Sequence, residues 1–169
     1  MPVVRFVPLI LSLVFLAAGC AGGSGSAADA PMAIGRVDRS ILLSPAYQAF
    51  ATTYDTTTVG QEFVDLLSLS HQGVEVVVVL GTWCSDSRRE VPRFLRIADL
   101  AGIPGDRVSL IGVDRAKKGG DVPVDGYAIE RVPTFIFMKD GKEIGRIVET
   151  PATTLEGDML TIFAGAHAP

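Results

Sequence analysis

The stretch Val74-Glu75-Val76-Val77-Val78-Val79-Leu80-Gly81-Thr82-Trp83-Cys84-Ser85-Asp86-Ser87 decides the reading of this chain. Up to Leu80 it is almost entirely apolar and β-branched, the pattern of a strand buried on both faces. Gly81 ends that run. Val91, Phe94, Leu95 and Ala98 then recur at helical spacing, which predicts an amphipathic helix over Glu90–Leu100. Cys84 therefore sits where a buried strand gives way to a helix. Helix N-termini carry unpaired N–H groups and a partial positive charge, so a thiolate is favoured there. Arg88 and Arg89 add to that field and Asp86 opposes it. Ser87-Arg88-Arg89-Glu90 has the form of a Ser-x-x-Glu capping box. A small buried apolar role for Cys84 is the competing reading.

Outward from this stretch, a helix is predicted over Ser44–Tyr54, with Ser44 as cap and Pro45 in its first position. A second is predicted over Val59–Leu69, with Phe63, Leu66 and Leu67 inward. Val108–Val113 reads as another buried strand, and Arg115–Val124 as a solvated loop. Thr134–Met138 and Glu143–Val148 flank Asp140-Gly141, a strong hairpin signal. Thr153-Thr154-Leu155-Glu156 reads as a capping box opening a last helix with Leu155, Met159, Ile162 and Phe163 inward. A βαβ unit followed by ββα implies an α/β fold, a mixed central sheet between helical layers.

The N-terminus reads as an address. Arg5 precedes the apolar run Val7–Ala18, too short for a bilayer core of about 30 Å, so residues 1–19 are predicted to be a signal peptide. Leu16-Ala17-Ala18-Gly19-Cys20 resembles the bacterial lipobox, which implies lipidation of Cys20 and a cell-envelope location. Without Asp at position 21, the outer membrane is favoured in a Gram-negative cell. Residues 20–31 then form a Gly/Ser/Ala tether, 32–58 an N-terminal helical extension and 59–165 the main domain.

Composition narrows the function. The 169 residues are 48% hydrophobic and 20% charged, enough for one real core and wrong for a disordered or multi-pass membrane chain. A net charge of −4 leaves no basic surplus for nucleic acid, and two cysteines with two histidines leave no Cys/His zinc site. His71 and His167 are read as surface residues. No Ser/His/Asp set and no phosphate-binding glycine loop stands out.

Trp83-Cys84 at a strand-to-helix junction, Pro92 inside the following helix, Ile129-Glu130-Arg131-Val132-Pro133-Thr134-Phe135-Ile136-Phe137 and the hairpin Lys139–Gly145 together resemble the thioredoxin-like superfamily, over roughly residues 59–164. The resemblance implies a three-layer α/β/α fold with no cofactor. It implies a cis bond at Val132–Pro133 beside the thiol, where an extended partner would pair with the backbone. Cys84 would be the nucleophile, Ser87 would stand in place of the resolving cysteine, and Thr82, Trp83, Arg88, Val132 and Pro133 would contact substrate. Val78 occupies the place of the family's buried acid. With one usable thiol, the implied activity is monothiol exchange with thiol- or disulfide-containing proteins or small thiols, resolved by an external thiol. Two alternatives stay open: a redox-inactive module docking extended segments in an envelope complex, and a peroxide sensor.

Overall fold

The computed structural model describes Met1 and residues 30–166; the predicted signal peptide, Cys20, nearly all of the tether and His167 lie outside the described residues. The elements run β1 (Gly35–Arg36), α1 (Arg39–Leu42), a 3-10 turn (Pro45–Tyr47), α2 (Gln48–Thr56), α3 (Gln61–Ser70), β2 (Val74–Leu80), α4 (Ser85–Leu100), β3 (Val108–Gly112), β4 (Thr134–Lys139), β5 (Lys142–Val148) and α5 (Leu155–Gly165). They build a five-stranded mixed sheet of order β1-β3-β2-β4-β5, in which β2 and β3 are parallel and the other pairs antiparallel.

The β-branched run makes β2 the central strand because both of its faces meet apolar cover. Val74, Val76, Val78 and Leu80 face a core shared with Phe50 of α2, Leu67 of α3, Phe94 of α4 and Phe163 of α5. Phe94, Phe137 and Phe163 stack through this core, with ring centroids 6.4 and 5.5 Å apart. Aromatic contacts at such distances add to the burial of the rings themselves. Val77 and Val79 face the second side, where Ile111, Val113, Val124 and Val132 form a smaller cluster against Trp83, Cys84, Tyr127 and Ile129. The cover on that side is the irregular segment between β3 and β4, with a single 3-10 turn at Asp125–Tyr127. Arg115–Val124 is therefore more than a solvated loop, because Val124 and Gly119 are buried within it.

Several sequence expectations are corrected in detail. The helix read over Ser44–Tyr54 divides into the 3-10 turn and α2. On α3 only Leu67 is buried and Leu66 points out, since the helix meets the body along a narrow stripe. α5 is capped one residue later than the predicted box. Thr154 Oγ1 accepts from Gly157 N–H, and Asp158 rather than Glu156 reaches back to the N–H groups of Ala152 and Thr153. The hairpin turn is as read, with Asp140 and Gly141 at φ 51° and 74°.

Residues 32–58 contribute a strand as well as helices. β1 pairs with β3, Gly35 opposite Gly112. A side chain at Gly112 would place Cβ 2.1 Å from the Ala33 carbonyl oxygen, so glycine is what lets this strand approach. Asp99 of α4 accepts both terminal nitrogens of Arg39, at 2.8 and 2.6 Å, and the Tyr54 hydroxyl, tying α1 and α2 to α4.

Candidate functional site

Cys84 is the N-cap of α4, and the helix proper opens at Ser85 rather than at Glu90 as read from the sequence. The first turn, Ser85–Arg89, is polar and shows no apolar periodicity, which hid it. The turn into the helix is closed by Cys84 N–H donating to Gly81 O at 2.9 Å and Arg88 N–H donating to Cys84 O at 3.1 Å. The thiol is partly exposed and donates to the Val132 carbonyl at 3.2 Å. The Val132–Pro133 peptide is cis, and Pro133 O accepts from Glu149 N–H at 2.7 Å. Cys84, Trp83, Val132 and Pro133 are thus brought together from two distant parts of the chain.

The indole of Trp83 is fixed at both ends. Its Nε1 donates to Val113 O at 3.0 Å, and its ring lies over Gly81, where a Cβ would come within 2.7 Å of it. The Arg115 guanidinium stacks on the outer face, 4.9 Å from the ring centroid. Sequence reasoning missed both Val113 and Arg115. Val113 closes the strand read over Val108–Val113 and Arg115 opens the segment read as loop, and no local pattern joins either to Trp83.

Ser87 is fully buried, and its Oγ accepts from Gly81 N–H at 3.2 Å. The Ser87–Glu90 capping box is therefore corrected: the cap is Cys84, and Ser87 lies inside the helix, bracing the active turn from below. Glu90 is also buried and accepts from Arg89 and Arg93, at 2.7 and 2.9 Å. That bond to Glu90 is the main reason the Arg89 guanidinium is held further toward its charged form, with burial opposing and Asp86 adding to it. Arg89 is thereby occupied with Glu90 and with Asp86, at 2.7 Å.

Thr82 and Arg88 serve the loop's own backbone. Thr82 is buried, and its Oγ1 accepts from Ala33 N–H at 3.2 Å, which ties the N-terminal segment to the turn. Arg88 donates from Nε to Thr82 O at 2.8 Å, while its terminal nitrogens make no ion pair among the described residues. Val78 is wholly apolar core. Cys84 is the one free cysteine among the described residues.

A cysteine capping the helix that leaves a central strand, opposite a Val-Pro-Thr loop, defines a thioredoxin-fold protein. The chain belongs to the thioredoxin family: the profile described as Thioredoxin matches residues 46–161, a span that takes in α2 as well as the region past residue 59. Over 96 residues it is 30% identical to a thioredoxin of Chlamydia pneumoniae, covering 57% of this chain and 84% of that one. It is 29% identical over 89 residues to an H-type thioredoxin of Oryza sativa subsp. indica, covering 52% of this chain and 68% of that one. Among solved structures, a Pseudomonas aeruginosa protein of unknown function superposes with a TM-score of 0.59 over 78% of this chain and 93% of that chain, at 17% identity. That last likeness concerns the fold alone.

Proposed function

We propose that the protein is a single-cysteine thioredoxin of the bacterial cell envelope, acting in thiol–disulfide exchange through Cys84 and held to a membrane by lipid on Cys20. The observation that supports the chemistry is a partly exposed thiol at the N-cap of α4, 3.2 Å from the Val132 carbonyl, with serine at position 87. Once deprotonated, Cys84 attacks one sulfur of a partner disulfide. The partner's S–S bond breaks, its second sulfur leaves with the electron pair and takes up a proton, and a Cys84–partner disulfide forms. An external thiolate then attacks that bond and carries the partner sulfur away, returning Cys84 as thiolate. Ser87 has no sulfur, so the second step has no internal route.

The test uses the full-length chain with Cys20→Ser, so that Cys84 is its one thiol. Reaction with bis(hydroxyethyl) disulfide is expected to add a single mercaptoethanol group, mapped by mass spectrometry to Cys84. The adduct should persist until a thiol is added. A folded chain that stays unmodified while the urea-unfolded chain reacts overturns the proposal in favour of a binding module.

The anchor is tested separately. In cells of a Gram-negative bacterium, Cys20→Ala is expected to abolish acyl labelling and to move the processed chain from the membrane to the soluble fraction. Unchanged labelling would exclude Cys20 as the lipid site.

A further inference from the structure

Around Cys84 the charges are unevenly satisfied. Asp86 is neutralised by Arg89, Asp125 is met by Lys118 at 3.2 Å, and Arg131 on the proline loop is met by Glu149 at 2.7 Å. Arg115 has no ion-pair partner among the described residues, although the chain as a whole is acidic. It is exposed and stacked on Trp83, the residue next to the thiol. Its loop is pinned: Asp114 N–H donates to Lys118 O at 3.0 Å, and Asp114 Oδ1 accepts from Lys118 N–H at 2.9 Å. Lys117 between them holds φ 61°. A guanidinium held over an indole by its face still has N–H groups with which to meet a planar carboxylate in a bidentate fork. Arg88, without an ion pair among the described residues, lies one turn into α4 on the same strand-to-helix junction. Glu130, exposed on the segment leading to Pro133, and Asp114, next to Arg115 and accepting from the Lys118 N–H, are acids on this rim without an ion pair among the described residues.

The geometry points to Arg115 as a specificity-determining residue that selects disulfides carrying a carboxylate close to the sulfur attacked, whether on a small acidic thiol or on an acidic stretch of a protein. The inference rests on Cys84 being the nucleophile of the proposed exchange and adds the class of partner it prefers. The stacked Arg115 holds the carboxylate while Cys84 displaces the partner's distal sulfur, which leaves as the thiol.

Three aliphatic disulfides separate the possibilities in the full-length Cys20→Ser chain: dithiodipropionate (anionic), bis(hydroxyethyl) disulfide (neutral) and cystamine (cationic). Each rate is divided by that of the urea-unfolded chain, which removes intrinsic reactivity. The anionic probe is expected to be preferred over the cationic one by roughly three- to tenfold at low salt, the range of one or two exposed charge contacts. Raising ionic strength to about 0.5 M should erase most of that preference. Arg115→Gln should lower the anionic rate about threefold and leave the neutral rate in place, Arg115→Lys should retain most of the preference, and Arg115→Glu should invert it. A preference that Arg115→Gln does not move overturns the inference. So does an equal fall in all three rates, which would mark Arg115 as packing for Trp83 alone. In both of those outcomes the exchange reaction itself stands; a folded chain inert to all three probes removes the exchange reaction and the selectivity together.

Discussion

Under the proposed exchange, which halts at a mixed disulfide, Ser87→Cys is expected to let the protein release its partner unaided. Position 87 lies one helical turn past the N-cap, on the first turn of α4. Residues three apart on a helix have Cβ atoms about 5–6 Å apart, and a disulfide accepts Cα separations of about 4.4–6.8 Å. The site is already buried against Gly81, so a cysteine there replaces an oxygen by a sulfur without opening new space. It gives up the Ser87–Gly81 hydrogen bond, worth about 1 kcal/mol. In exchange, a second thiol stands next to the mixed disulfide, and resolution becomes intramolecular. Relative to an external thiol at millimolar concentration the release should quicken by about 10³-fold or more, given the effective molarities of well-oriented groups.

Stoichiometry gives a clean reading. In the Cys20→Ser background, excess dithiobis(nitrobenzoate) should liberate one chromophoric thiolate per chain and leave an adduct on Cys84. With Ser87→Cys it should liberate two and leave an internal disulfide with no adduct. With Cys84→Ser it should liberate none while position 87 remains serine. A Ser87→Cys chain that liberates two thiolates but carries two adducts would show that the two sulfurs do not meet, and the reading of serine at position 87 as the block to internal resolution would fail.

What made the site legible was local. A β-branched run, a glycine and a Trp-Cys pair lie in one continuous stretch, and Val132-Pro133-Thr134 carries its own signal before β4. The hairpin was equally plain because Asp-Gly supplies the two positive φ angles that its turn requires. What stayed hidden depends on contacts between segments. The first turn of α4 is polar outside and held by backbone and Ser87 hydrogen bonds, so apolar spacing placed its start too late. β1 has two residues and no alternation; it exists because Gly112 leaves room beside β3. Arg115 reaches the site by lying over Trp83 beyond the C-terminal ends of β2 and β3, and Thr82 turned inward to serve Ala33 rather than outward to solvent. Sequence patterns report which face a residue prefers; they do not report which distant backbone it will meet.

Gly112→Ala should therefore have a large structural effect for a single methyl group. The added carbon would meet Ala33 O at 2.1 Å and Ala33 C at 2.8 Å, both backbone atoms that no rotamer change can move aside. β1 must shift or leave. Its departure would break the β1–β3 pairing and disturb Ala33, whose N–H donates to Thr82 beside Trp83 and Cys84. A destabilisation of about 2–4 kcal/mol is expected, in the range of overpacking combined with lost hydrogen bonds. Gly126→Ala is the control: a Cβ at that position would find no atom within 4 Å, so its cost should stay within about 0.5 kcal/mol. Urea unfolding of the three chains measures the difference, and limited proteolysis should cut faster around residues 30–37 in Gly112→Ala. Equal midpoints for the two alanine variants would mean that β1 yields without cost. In that case the N-terminal segment would be a loose cover rather than a brace for the turn that holds Cys84.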